Sequence, residues 1–266
     1  MSRLAVMAGQ GRLPEDLARH ARDQGYDVVI FRIAGQADAA FQGFETFEVP
    51  LGAIGSTRRR LTDSGCTSMV MVGKIRRPSL AELKPDAAAV ALLAKAVGRG
   101  DDALLRVISE YFAEAGIETL SPDSLMPQVR MPEGLLAGDV DAVRRVDIEL
   151  GVEVLAALGD HDVGQAVVVQ DGRVIAIEAA EGTDAMLERA AALLDPAATA
   201  AVFVKAPKAG QDMRLDPPVA GAETLRRAAV AGIGVVALKA DGVILADEPE
   251  TLRSLAGELR LVVVGI

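Results

Sequence analysis

The chain of 266 residues carries 28 Lys and Arg against 38 Asp and Glu, a net charge of −10, with half its residues hydrophobic and 3% aromatic. A surface of that sign repels phosphate backbones, and no Trp is present to stack bases, which excludes general nucleic-acid binding. One Cys and two His exclude a disulfide framework, a Cys-rich zinc site and a three-histidine metal centre, while the apolar content excludes disorder.

Leu4-Ala5-Val6-Met7 reads as a short buried strand running into Gly9-Gln10-Gly11. It is too short for a signal peptide, and no run of about 18 uncharged apolar residues follows. The expectation is a soluble cytoplasmic protein whose chemistry rests on carboxylates, Lys, Arg and backbone amides. Pro14 suits the first turn of a helix over 15–24, stopped by Gly25. Val28-Val29-Ile30-Phe31 is a second strand. Residues 54–64 form a helix closed by Gly65, and Ser68-Met69-Val70-Met71-Val72 is a third strand closed by Gly73. Runs that are apolar throughout and separated by helices predict a Rossmann-like parallel sheet with helices on both faces. Helices over 86–97 and 103–115 and a strand over 117–120 complete this first α/β domain, assigned to residues 1–130. The stretch 121–134 holds three prolines and marks the boundary.

The second domain, 134–266, opens with a long helix over 140–158, with Val143, Leu150, Val154 and Leu158 on one stripe. Residues 165–170 and 173–178, joined by Asp171-Gly172, read as a β-hairpin. A helix over 183–194, a strand over 202–204 and a polar loop over 205–218 follow. Helix 223–231, strands 234–238 and 243–246, helix 249–257 and strand 261–264 predict a C-terminal α/β domain.

Several constellations could carry chemistry. Gly9-Gln10-Gly11 lies between a strand and a helix N-terminus, where glycines admit a phosphate close to the backbone and the helix dipole favours it. It is not a dinucleotide fingerprint, because Pro14 takes the third glycine position and no acidic ribose ligand closely follows strand 2. It lacks the Gly-Lys-Ser/Thr ending of a P-loop. A tight βα turn remains the alternative. Gly73-Lys74-Ile75-Arg76-Arg77-Pro78 follows a parallel strand and offers three cations to an anion, or forms a solvated loop. In Gly100-Asp101-Asp102, Asp is an N-cap or a metal ligand.

Glu178, Glu181 and Asp184 lie within seven residues and could gather a hard cation. Thr183 reads as an N-cap and Asp184 suits the helix dipole. The loop Lys205-Ala-Pro-Lys208-Ala-Gly-Gln211-Asp212-Met-Arg214-Leu-Asp216 follows a buried strand with two Lys, one Arg and two Asp. Phosphoryl chemistry uses that mixture: cations neutralise non-bridging oxygens, and a carboxylate holds Mg²⁺ or positions water. His20, His161 and Cys66 read as surface, capping and core residues.

Taken in order, these motifs resemble the LpxI-type UDP-2,3-diacylglucosamine pyrophosphatases of lipid A biosynthesis. The marks are Ala8-Gly9-Gln10-Gly11-Arg12-Leu13-Pro14, Gly73 with Arg77-Pro78, and Gly100-Asp101-Asp102-Ala103-Leu104-Leu105. They continue in Asp162-Val163-Gly164-Gln165, Glu178-Ala179-Ala180-Glu181-Gly182-Thr183-Asp184, and Lys205-Ala206-Pro207-Lys208 through Arg214-Leu215-Asp216. The resemblance implies two α/β domains with the active site in the cleft between them, a homodimer, and Mg²⁺-dependent attack of water on the α-phosphorus. The products are UMP and lipid X.

The family's essential aspartate falls on Asp216, with Asp212 and Arg214 beside it as catalytic residues. Gly9, Gln10, Gly11, Leu13, Arg77, Asp101, Asp102, Thr183, Asp184, Lys205, Lys208 and Gln211 are the expected substrate contacts. Asp216, Glu178 and Glu181 are the expected metal carboxylates. Gln10 stands where the family usually has Gly, and Asp212 where some members have Glu. A diacylated substrate also implies transient contact with the cytoplasmic face of the inner membrane. The competing class is a non-catalytic nucleotide-sugar or lipid-binding protein; a nicotinamide-dependent oxidoreductase is disfavoured by the failed fingerprint.

Overall fold

The computed structural model describes residues 2–266 apart from 77–82, 97–99, 140–141 and 160, and apart from the side chains of 100–102 and 142–143. Contacts divide the chain into two compact units. The first is Met1–Gln128 with Asp212–Asp216, and the second is Val129–Gln211 with Pro217–Ile266.

The first unit is built on five parallel strands: β1 (Arg3–Ala8), β2 (Asp27–Ile33), β3 (Glu45–Val49), β4 (Ser68–Val72) and β5 (Glu118–Leu120), in the order β3-β2-β1-β4-β5. Successive side chains of a strand face opposite sides. Ala5, Val29, Phe31 and Met69 therefore share one face, where Leu61 of the helix Ile54–Asp63 and Phe112 of the helix Gly100–Ala113 complete a core. Leu4, Val6, Ile30 and Val70 fill the other and are fully buried. The helix Leu13–Asp23 packs on β1 and β2 and buries Leu17, Ala18 and Ala21. Burial of each large side chain contributes about 1.5–3 kcal/mol. Cys66 lies in this core, and burial pushes its thiol up to about 11, which makes it an inert packing group.

β3 has no counterpart in the sequence reading. Asp86 also has an unforeseen role: its Oδ2 accepts the N–H groups of Gly55 (2.8 Å) and Ser56 (3.2 Å), and its Oδ1 accepts Ala89 N–H (2.9 Å). One carboxylate thus caps two helix starts.

The second unit holds a six-stranded sheet of β6 (Gly134–Ala137), β7 (Ala166–Gln170), β8 (Arg173–Ile177), β9 (Ala201–Lys205), β11 (Ile233–Leu238) and β13 (Val262–Gly265). The order is β6-β13-β11-β9-β7-β8; a separate parallel pair joins β10 (Val219–Ala220) to β12 (Ile244–Leu245). β9, β11 and β13 are parallel, while β6 and β7 run antiparallel to their neighbours and β8 to β7. Val167, Val169, Val202, Val204 and Val235 face the helix Ala142–Gly159. Val168, Phe203, Val236 and Val263 face Leu187, Leu225 and Leu252 of three other helices, Gly182–Ala191, Ala222–Val230 and Pro249–Leu259.

The stripe on Ala142–Gly159 is centred differently from the expected one, although Leu150 and Val154 do pack against this core from its edge. Ile148 and Leu155 are the buried apolar positions, with Asp147 and Gly151 between and beside them; Leu150, Val154 and Leu158 are only partly buried, and the side chain of Val143 lies outside the described residues. The reason is Gly151: a Cβ there would lie 3.0 Å from Val204 Cβ, so a glycine on the contact line lets the helix close on β9. Among the described residues no helix is long and apolar enough to cross a membrane.

Candidate functional site

In the first sheet the strand order reverses direction between β1 and β4, and open α/β sheets bind ligands beyond the carboxyl ends of strands at such a point. The loops leaving these two strands are clasped backbone to backbone. Gln10 N–H donates to Lys74 O (2.9 Å), and Lys74 N–H donates to Gln10 O (3.1 Å). A Cβ on Gly9 would lie 2.7 Å from Lys74 O, and one on Gly73, whose φ is +98°, 2.8 Å from Gln10 O. The structure thus brings together two loops that the sequence presented separately.

Gly11 N–H, a natural anion donor, is taken by Asp38 Oδ1 at 2.9 Å. Sequence reading missed Asp38; its signal is an acid in the loop after β2, where doubly wound folds place a ribose ligand. Gln36 was missed too. It is buried, and its side-chain amide brackets the Arg76 backbone, accepting Arg76 N–H at 3.0 Å and donating to Arg76 O at 3.3 Å. A cavity of about 210 Å³ lies beside it, lined by Ala34, Leu51, Arg76 and Lys84.

Leu13 is buried at the start of its helix, where it packs in the core. Arg77 lies outside the described residues. Asp101 and Asp102 fall within the first turn of Gly100–Ala113 and not ahead of it, their side chains outside the described residues.

In the second unit the polar residues gather where β8 and β9 end and β7 begins. Glu178 Oε2 accepts Gln165 N–H (2.9 Å) and its Oε1 accepts the Thr183 hydroxyl (2.8 Å). Lys205 Nζ donates to Thr183 Oγ1 (3.0 Å). Thr183 is therefore not the expected N-cap. The helix begins at Gly182, Glu181 holds the cap position without a side-chain hydrogen bond, and the Thr183 hydroxyl serves Glu178 instead. Glu181 pairs with Arg189 at 2.7 Å, and that hydrogen bond holds its carboxyl below the ordinary range. Asp184 lies 3.6 Å from Arg227. Lys208 pairs with Asp162.

Gln211 and Lys208 close a turn, with Lys208 N–H on Gln211 Oε1 (2.9 Å) and Gln211 N–H on Lys208 O (3.2 Å). Asp212 is clamped by Arg214: Oδ1 accepts Arg214 N–H and Nε, both at 3.0 Å, and Oδ2 accepts the guanidinium at 2.7 Å. This hydrogen bonding holds the Asp212 carboxyl below its ordinary range and raises Arg214. The Asp212 carbonyl accepts the N–H groups of Leu215 and Asp216. Leu215 is buried and anchors the turn, leaving Asp216 exposed beside it.

Among the described residues no three His, Cys, Asp or Glu gather to hold an ion. Glu178 and Glu181 face different partners. An all-protein cage of the kind Ca²⁺ uses does not fit this donor set. Mg²⁺ does fit, because it keeps several waters and takes one or two carboxylates plus phosphate oxygens of the substrate.

The family model described as the LpxI N-terminal domain matches residues 3–129, and that of the LpxI C-terminal domain matches 132–264. A curated relative from Caulobacter vibrioides, the UDP-2,3-diacylglucosamine pyrophosphatase LpxI, is 34% identical over 275 aligned residues, covering 100% of this chain and 98% of the relative. Among solved structures, the CobK precorrin-6A reductase aligns over 100% of this chain and 87% of its own at 17% identity, with a TM-score of 0.33. An NAD-dependent epimerase/dehydratase from Methylobacillus flagellatus aligns over 44% and 34% at 18% identity, with a TM-score of 0.26.

Proposed function

The chain belongs to the LpxI family, and from that premise we propose that it hydrolyses the diphosphate bond of UDP-2,3-diacylglucosamine in lipid A biosynthesis. The observation that carries this is the full-length match to a pyrophosphatase, with both domain models in order along one chain. Water attacks the α-phosphorus, the bond from that phosphorus to the bridging oxygen breaks, and UMP and lipid X leave.

Each residue has a role that its chemistry supports. Asp216 positions the attacking water, directly or with Mg²⁺. Asp216 is the residue that would hold Mg²⁺, which when bound would supply charge neutralisation at the phosphate. Lys205, Lys208 and Arg214 offset charge on the non-bridging oxygens. Arg214 also holds Asp212, so Asp212 acts on the shape of the turn that carries Asp216. The clasped glycine loops of the first unit shape the ligand end of its sheet, where the start of the helix Leu13–Asp23 faces the nucleotide diphosphate. The enzyme works as a cytoplasmic homodimer that meets the inner membrane transiently to collect its diacylated substrate. Neither the fold nor the comparisons favour a non-catalytic binder.

The test is direct. Purified protein with UDP-2,3-diacylglucosamine and Mg²⁺ in H₂¹⁸O should release UMP and lipid X, with the label in UMP. Release of UDP, label in lipid X, or no turnover would overturn the reading.

A further inference from the structure

Two charged side chains of the second unit are buried and joined through one hydroxyl. Glu178 is 8% exposed and Lys205 is 6% exposed. Thr183 Oγ1 lies 2.8 Å from Glu178 Oε1 and 3.0 Å from Lys205 Nζ. An ammonium group only donates, so the hydroxyl accepts from Lys205. Its single proton then goes to Glu178. The other Glu178 oxygen is filled by Gln165 N–H at 2.9 Å, and the Glu178 backbone N–H is bonded to Ala166 O at 2.9 Å. Gly164 packs so tightly on Glu178 that any Cβ there would overlap its carbonyl. Main chain and carboxylate are both fixed, and the direction of the Thr183 hydroxyl is fixed with them.

A buried cation is costly unless its charge is compensated and its donors are satisfied. Glu178 contributes that compensation to Lys205 through Thr183. Lys205 is the last residue of β9, at the end of the sheet where α/β folds meet their ligands. We propose that Glu178 is a positioning residue for the hydrolysis: it orients Thr183, and through it sets the Lys205 ammonium toward a substrate phosphate, without itself touching substrate or metal. The inference rests on the hydrolase reading.

The experiment compares wild type, Glu178→Gln, Lys205→Ala and the double variant in kcat and KM for UDP-2,3-diacylglucosamine, each checked for native unfolding behaviour. Glutamine turns an amide N–H₂ toward one of two donors and breaks the chain. Lys205→Ala should lower kcat/KM about 10²-fold, the usual loss for one charge-stabilising group. Glu178→Gln should lose about 10-fold or more, and the double variant should match Lys205→Ala to within about twofold, because the two act as one unit. Thr183→Val should reproduce the loss and Thr183→Ser should recover most of it; paired with Lys205→Ala, Thr183→Val supplies the same cycle if Glu178→Gln does not fold. Losses that multiply in the double variant, or recovery of Glu178→Gln by raised Mg²⁺, would overturn the proposal. An inactive wild type is a different result, which removes the hydrolase reading itself.

Discussion

Asp147 and Gly172 tie the long helix of the second unit to its hairpin. Asp147 is 1% exposed, and its Oδ1 accepts Gly172 N–H at 2.7 Å while its Oδ2 accepts Asp171 N–H at 3.1 Å. Asp171 (φ +48°) and Gly172 (φ +71°) are both left-handed, as a two-residue hairpin turn requires, and their amides converge on the buried carboxylate. Asp147→Ala should therefore lower unfolding free energy by about 2–3 kcal/mol, from lost charged hydrogen bonds. Thermal unfolding by circular dichroism should show a fall of about 5–10 °C. A fall of less than about 1 °C would mean that the carboxylate contributes little.

Asp216→Ala should fold normally, because the side chain is exposed and Leu215 anchors the turn. Its kcat for UMP release should drop by about 10²–10³ or more, with KM changed far less. Asp212→Ala should lose less, through the turn alone. Retention by Asp216→Ala of more than about a tenth of wild-type kcat would move the role elsewhere.

Chelation tests the metal. EDTA should abolish UMP release and added Mg²⁺ should restore it, while the circular dichroism spectrum stays the same, because the described residues offer no structural cage. Full turnover in metal-free buffer would sink the assignment.

The Asp212–Arg214 clamp gives a pH signature. The Asp212 carboxyl is depressed, chiefly by its hydrogen bonds to Arg214. Its contribution to stability is thus complete above its unfolded value, near pH 4, and is lost as pH falls through the lower folded value. Arg214→Ala should raise the Asp212 titration toward the ordinary value in carbon-detected NMR. An unchanged midpoint would show that other groups hold it down.

Gly9→Ala should fold but bind poorly. The new methyl would meet Lys74 O at 2.7 Å and force the two clasped loops apart. KM should rise by about tenfold or more, equivalent to about 1.4 kcal/mol of binding, with kcat less affected. Unchanged KM would detach this loop from the substrate.

The buried elements were legible because their apolar runs had only one use. Val28-Val29-Ile30-Phe31 and Ser68-Met69-Val70-Met71-Val72 announce strands covered on both faces, and Asp171-Gly172 announces its hairpin. β3 did not, because Glu45-Thr46-Phe47-Glu48-Val49 is an edge strand that buries only Val49 fully and leaves Glu45, Thr46 and Glu48 exposed. The stripe on Ala142–Gly159 was legible only at its edge, at Leu150 and Val154, because Asp147 and Gly151, neither of them an apolar marker, occupy the contact line. At the candidate sites, residue types were legible but partners were not. Nothing in the spacing of Glu178, Thr183 and Lys205 tells that one hydroxyl joins them, and Asp38 reaches Gly11 only because β1 and β2 lie side by side.

The loop clasp between β1 and β4 also divides what this enzyme can change from what it must keep. The bonds between Gln10 and Lys74 are made by main-chain atoms, so the clasp does not depend on the side chain at position 10. That is why a glutamine can stand between Gly9 and Gly11. The glycines that cannot drift are the neighbours, Gly9 and Gly73, because each faces the other strand's carbonyl. Position 10 is accordingly the place to diversify a library for altered nucleotide preference, with the loop architecture inherited intact.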